Sequence, residues 1–129
     1  MTRPTLLTVL QGSTWSQSWD VDYTTDTIPG WPTGPLPATW TVRAQVRDSI
    51  PDPTVLARWD STDATTLPCS NNGTGTVTLE ISAATSSAWA WRKGKWDLEV
   101  VSPDGAQVVR VDWGTIVVKP EVTREVVAP

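Results

Sequence analysis

The chain has 129 residues and a net charge of -4, with nine Trp, one Tyr and no Phe, eleven Pro, one Cys and no His. A length like this corresponds to one domain that buries roughly two-thirds of its unfolded surface without metal or disulfide staples. The composition excludes a Ser-His-Asp triad, a Cys-His pair, an imidazole metal ligand, an intramolecular disulfide and a Cys-rich zinc site, and the fourteen acidic against ten basic residues exclude the usual electrostatic footprint of a nucleic-acid binder.

In chain order, the first element is the apolar run 6–10 (LLTVL). It is shorter than the roughly 7–15 residues of a secretory core, and no later stretch approaches the ~20 residues of a membrane span. A soluble product made in the cytoplasm, one domain over 1–129, is expected. Residues 14–21 read as a second strand with Trp15, Trp19 and Val21 on one side. The segment 22–37 then carries four Pro and two Gly around Trp31, which predicts an irregular loop, longer than most.

Period-two alternation dominates the chain from there on. In 38–48 (ATWTVRAQVRD), Trp40, Val42, Ala44 and Val46 fall on one face and Thr39, Thr41, Arg43, Gln45 and Arg47 on the other. The same grammar puts Val55, Ala57 and Trp59 inward in 54–59, and Val77, Leu79 and Ile81 inward in 76–82. Residues 83–91 are the one plausible helical turn, with Ser82 as N-cap, and their Ser and Thr content limits it to about two turns. Trp96, Leu98 and Val100 alternate with Lys95, Asp97 and Glu99. The Pro103-Asp104-Gly105-Ala106 step is strong hairpin chemistry, leading to a strand with Val109, Val111 and Trp113 inward and a last strand over 115–119. The tail 120–129 is an added strand or a docking arm. About eight strands at this spacing predict an all-β fold: a single antiparallel β-sandwich of immunoglobulin-like type with one short helical turn.

Trp40, Trp59, Trp96 and Trp113 run in phase with the aliphatic residues of their strands, so core packing is their expected role, Trp standing in for the missing Phe. Trp31, Trp89 and Trp91 lie outside clear strands, where burial and interface anchoring both fit. The segment Trp91-Arg92-Lys93-Gly94-Lys95-Trp96 interleaves Arg92, Lys93 and Lys95 with aromatics; it reads as a solvated turn that could mate with an acidic neighbour. Asp20, Asp22 and Asp26 lack the spacing of a calcium loop. Asp60 with Asp63 and Asp48 with Asp52 are the only pairs that suggest glycosidase carboxylates, and nothing beyond adjacency to turns links them. Asn72-Gly73-Thr74 matches a glycosylation sequon but reads as a turn, and Cys69 as a small apolar residue.

The carboxy-terminal half, GTVTLEISAATSSAWAWRKGKWDLEVVSPDGAQVVRVDWGTIVVKPEVTRE, resembles the LtfC-like group of small β-sandwich virion proteins of tailed bacteriophages. The landmarks are Ser82-Ala83, Gly94 with Trp96, Trp96-Asp97-Leu98-Glu99, Pro103-Asp104-Gly105, and Gly114-Thr115 through Pro120-Glu121-Val122-Thr123-Arg124. The strand Thr41-Val42-Arg43-Ala44-Gln45-Val46-Arg47-Asp48 is compatible, while the loop around Trp31 and the Trp-rich turn depart from the pattern. The resemblance implies a structural protein of the virion, made in the host bacterial cytoplasm and attached to a tail, baseplate or head in several copies or as a homo-oligomer. Its partners would be other phage proteins, with neither nucleic acid nor membrane among them. No enzyme activity, cofactor or metal is expected, and the candidate interface is Trp31, Trp89, Trp91, Arg92, Lys93 and Lys95. The alternative is a carbohydrate-binding module that reads host cell-wall glycan through Trp platforms.

Overall fold

The computed structural model describes residues 4–23 and 34–122. Their elements, in chain order, are β1 (Thr5–Leu10), β2 (Trp15–Asp20), β3 (Thr41–Arg47), β4 (Val55–Asp60), β5 (Cys69–Asn71), β6 (Thr76–Ile81), α1 (Ala83–Ser87), β7 (Lys93–Val101) and β8 (Val108–Lys119). The strands form a five-stranded sheet in the order β1-β8-β7-β3-β4 and a three-stranded sheet in the order β2-β6-β5. The inward residues of both sheets make one apolar cluster that includes Val42, Val46, Trp59, Leu79, Ile81, Leu98, Ile116 and Val118, as a β-sandwich requires.

Alternation sets most of the strands. In β3, Val42, Ala44 and Val46 are buried while Arg43 is exposed, and in β7 Trp96, Leu98 and Val100 are buried. Trp40, which immediately precedes β3, and Trp59 on β4 are buried as well, and Trp59 Nε1 donates across the sandwich to Glu80 O at 2.9 Å. Trp15 and Trp19 on β2 are half-buried against the core. Ser82 caps α1, its Oγ accepting from Thr85 N at 3.2 Å, and the helix ends after five residues, shorter than two turns. The Pro103-Asp104-Gly105-Ala106 step makes the β7–β8 hairpin: Gly105, at φ 74°, donates its N–H to Ser102 O. The Asp104 carboxylate takes Ser102 Oγ and Ala106 N, which hold it below the usual carboxylate range.

Five features depart from the alternation reading. The sandwich is not wholly antiparallel, because β1 runs parallel to β8 in the register Thr5↔Gly114 to Leu10↔Lys119. A glycine at 114 permits this: a Cβ there would collide with the Thr5 backbone. Residues 109–113 and 115–119 belong to one twelve-residue strand, β8. Cys69–Asn71 is a short strand, and the Asn72-Gly73 turn after it folds it onto β6. Val55 is exposed, because the register shift between Val46 and Arg47 leaves Leu56 as an extra residue opposite β3.

The fifth departure concerns Trp113. Between Leu98↔Asp112 and Glu99↔Arg110 the β7–β8 register shifts by one, leaving Val111 as a bulge residue. A one-residue slip flips every later side chain, so Asp112 turns inward at 6% exposure and Trp113 turns outward. The Trp113 ring lies under the Arg110 guanidinium, 4.7 Å from the ring centroid, and is not part of the core.

Buried Asp112 has every contact it needs. Its oxygens accept from Thr5 Oγ1 at 2.8 and 3.0 Å, from Trp19 Nε1 at 2.9 Å and from Trp113 N at 2.9 Å, which joins β1, β2 and β8. Asp112→Ala strands these donors and should lower the unfolding free energy by about 3–5 kcal/mol in urea titrations. Trp40→Ala should cost a similar ~3–5 kcal/mol through its cavity, and Trp113→Ala only about 1 kcal/mol. Equal losses at 40 and 113 would show that the bulge assignment is wrong.

Candidate functional site

The outer face of the five-stranded sheet gathers most of the polar chemistry. Arg43, Gln45 and Arg47 from β3, Lys95, Asp97 and Glu99 from β7, and Arg110, Trp113 and Thr115 from β8 all point the same way, because each is one residue out of phase with its buried neighbours. Arg43 Nε and Glu99 Oε1 pair at 2.8 Å. Arg47 donates to Asp52 O at 2.7 Å and to Gln45 Oε1 at 2.9 Å, and Lys95 Nζ donates to Thr115 Oγ1 at 3.0 Å. Gln45, Arg47, Lys95, Asp97, Arg110, Trp113 and Thr115, together with Pro4 and Ile50, wall a recess of about 380 Å³. A second hollow of about 350 Å³ adjoins it and shares Gln45 and Asp97.

Asp97 is the carboxylate common to both hollows. Burial raises its pKa above the ordinary value, with Glu99 adding to the rise and Arg110, Arg43 and Arg47 opposing it. The recess therefore offers side-chain N–H donors, one carboxyl that holds its proton more readily than usual, and an indole ring. Such a set can grip a polyhydroxylated or amide ligand by hydrogen bonds.

Asp60 and Asp63 do a different job. Asp60 Oδ1 accepts from Thr62 N and Oγ1, Asp63 Oδ1 accepts from Thr65 N and Oγ1, and Arg58 reaches both side chains. The threonine hydrogen bonds come first among the causes that lower both carboxyls. A glycosidase acid needs a raised value, so this pair fastens a turn. Asp52 Oδ1 likewise accepts from Thr54 N. Asp20 ends β2 and Asp22 bridges to Pro35, whereas Asp26 lies outside the described residues. Among the described residues no group of three or more His, Cys, Asp and Glu comes together, and no helix is long and apolar enough to cross a membrane. Cys69 is half-buried, and burial pushes its thiol up to about 11.

The Trp89/Trp91 turn is built into the body of the protein. The two rings stack at 4.7 Å and 36°, half-buried against the core. Gln11 Nε2 donates to Ser87 O and Trp89 O, and Arg92 Nη1 donates to Trp89 O and Trp91 O. Arg92 and Lys93 are exposed beside this turn, and Lys95 belongs to the recess instead. Trp31 lies outside the described residues. Of the tail, Glu121 N donates to Gln11 Oε1 at 3.2 Å, Val122 is exposed, and 123–129 lie outside.

A second surface comes from the sheet edges. Edge β4 is covered: Leu67 N donates to Arg58 O and Asp60 N to Thr66 Oγ1. Edge β5 has three residues, and edge β2 is polar and ends in Asp20. Edge β1 has six residues and no charge or proline, with Leu6 at 65% and Leu10 at 55% exposure on the outer face. Natural sheets usually blunt such an edge.

No protein-family model matches the chain, and no curated protein matches it. The residues that alternation missed had signals of their own. A glycine inside an apolar strand, as at Gly114, often marks a bulge or a close backbone approach, and apolar residues at both parities, as in Leu6-Leu7, mark a strand with two apolar faces.

The Asp97 shift gives a signed test. The folded protein keeps this proton to higher pH than the unfolded chain, so Asp97 costs stability as pH rises from the ordinary carboxylate range through the raised one. Asp60, Asp63 and Asp104, whose values are lowered, slope the other way but are common to parent and variant. The melting temperature of Asp97→Asn minus that of the parent should therefore rise between pH ~4 and ~7; a flat or falling difference contradicts the assignment.

Proposed function

We propose that the protein is a structural, non-enzymatic component of a tailed-bacteriophage virion, an immunoglobulin-like sandwich that attaches to other particle proteins as a tail or baseplate accessory or a head decoration, in several copies. The observation that carries the attachment reading is edge β1, uncharged, uncovered among the described residues and lined by exposed Leu6 and Leu10. Free edges of this kind recruit a partner's strand. The source of the reading as a virion protein is the family resemblance of the carboxy-terminal half.

The immunoglobulin-like part of the reading draws on strand order. In that fold the C, F and G strands face the B, E and D strands, and variable-type domains extend the first sheet with C′. The order β4-β3-β7-β8 facing β2-β6-β5 supports this reading, matched to C′, C, F and G facing B, E and D. Antibody domains tie B to F with a disulfide; here Trp19 of β2 meets Trp96 of β7 at 5.7 Å.

Incorporation tests the proposal. Leu6→Lys with Leu10→Lys alters two exposed side chains, so the variant should fold like the parent by circular dichroism and yet be depleted at least about tenfold from purified particles, the effect of roughly 1.4 kcal/mol of lost contact. Normal incorporation would remove β1 as the attachment surface, and absence of the parent protein from particles would remove the virion reading. A second reading is favoured by one observation, the recess that sets Trp113 beside Gln45, Arg47 and Asp97: a carbohydrate-binding module. Titration with host cell-wall polysaccharide should leave the Trp fluorescence unchanged on the first reading. On the second it gives a saturable shift that Trp113→Ala abolishes.

A further inference from the structure

Among the described residues no strand pairs with the outer edge of β1, and that edge has a definite phase. Gln11 N–H continues the β1 ladder by donating to Lys119 O at 3.0 Å. Successive residues of an extended strand present their main-chain groups to opposite sides, so the odd positions of β1 bond β8. The N–H and C=O of Leu6 and Thr8, and the N–H of Leu10, then face outward. Leu10 O accepts from Ser13 N at 3.0 Å and keeps a second lone pair.

We propose that a second copy of this chain pairs antiparallel with β1 about a two-fold axis, an inference that rests on reading β1 as the attachment edge. Free groups meet free groups only when even positions face even positions. With Thr8 opposite Thr8, Leu6 faces Leu10 of the second copy and Leu10 faces its Leu6, which forms about six main-chain hydrogen bonds. A shift of two residues one way brings in Pro4, which has no N–H. The same shift the other way brings in Gly12, whose N–H is already committed to Ser86 Oγ at 2.9 Å. The sequence of β1 thus selects one register.

In that register the four exposed leucines form one strip on the outer face, flanking the Thr8 pair, and no charge is set against a like charge. This matters for a chain of net charge -4, since two copies repel except where they meet through an uncharged strand. The two five-stranded sheets become one continuous sheet across the axis. The strip is smaller than the ~1,200 Å² of a stable pair, so the pairing is weak in dilute solution and gains when copies are held together on a particle.

Cross-linking tests the register. In a Cys69→Ser background, mild oxidation of Thr8→Cys should give a disulfide-linked dimer. A mixture of Leu6→Cys and Leu10→Cys should give a mixed dimer, whereas each of these alone should stay monomeric. Sedimentation of the unmodified chain should show dimer growing toward ~1 mM, and Leu6→Lys with Leu10→Lys should abolish it. Absence of dimer at that concentration together with no Thr8→Cys product overturns the proposal, as does Leu6→Cys cross-linking to itself as well as Thr8→Cys does. If the unmodified chain stays monomeric and Thr8→Cys gives no product while the lysine variant is still lost from particles, self-pairing falls and the attachment reading stands. If the dimer forms and the lysine variant is incorporated normally, the reverse holds.

Discussion

The sandwich depends on one buried carboxylate. Asp112 sits in an apolar interior with its oxygens occupied by a hydroxyl of β1, an indole N–H of β2 and the main chain of β8. A buried polar group is tolerable only when it is hydrogen-bonded, and satisfying this one ties together three strands drawn from both sheets. In a chain with a single cysteine this polar clamp does what a covalent cross-link does elsewhere: it sets the stagger of one sheet on the other. The Trp19 ring that reaches Asp112 also meets Trp96, centroid to centroid at 5.7 Å, and Trp96 Nε1 donates to Thr5 O at 3.1 Å.

The clamp and the recess have a common origin in the Val111 bulge. Without it, Asp112 would face water and Trp113 would enter the core. With it, the carboxylate goes in, and Trp113 joins Arg110, Asp97 and Arg47 on the outer face. A single inserted residue thus supplies both the internal bond that holds β1 and β2 and the external relief over β7 and β8. Bulges are common next to binding surfaces for this reason.

Alternation makes most of the fold legible. The buried faces of β3, β6 and β7, the capped turn after Ser82 and the Pro-Asp-Gly hairpin all come from residue type and spacing, since a strand with one wet face must alternate and a turn with positive φ calls for glycine. The features that stay hidden depend on register. Periodicity carries no mark of a one-residue slip, so it puts Trp113 and Val55 on the wrong face. The direction of β1 beside β8 depends on a clearance at Gly114 that only the partner strand reveals. Of the site, the cations Arg92, Lys93 and Lys95 can be named from the sequence, but not their separation into a capped turn and a recess wall.

The pairing of β1 with β8 joins positions 5–10 to positions 114–119, the most distant strands of the described chain. Loop closure over such a span is costly and tends to come late in folding. Until β8 has formed, β1 has no neighbour and there is no sheet edge to offer. The surface through which the protein would join other chains is therefore created by the completion of its own fold. On the proposed reading, the edge takes its native phase and its leucine strip only in a copy whose β1 has docked on β8.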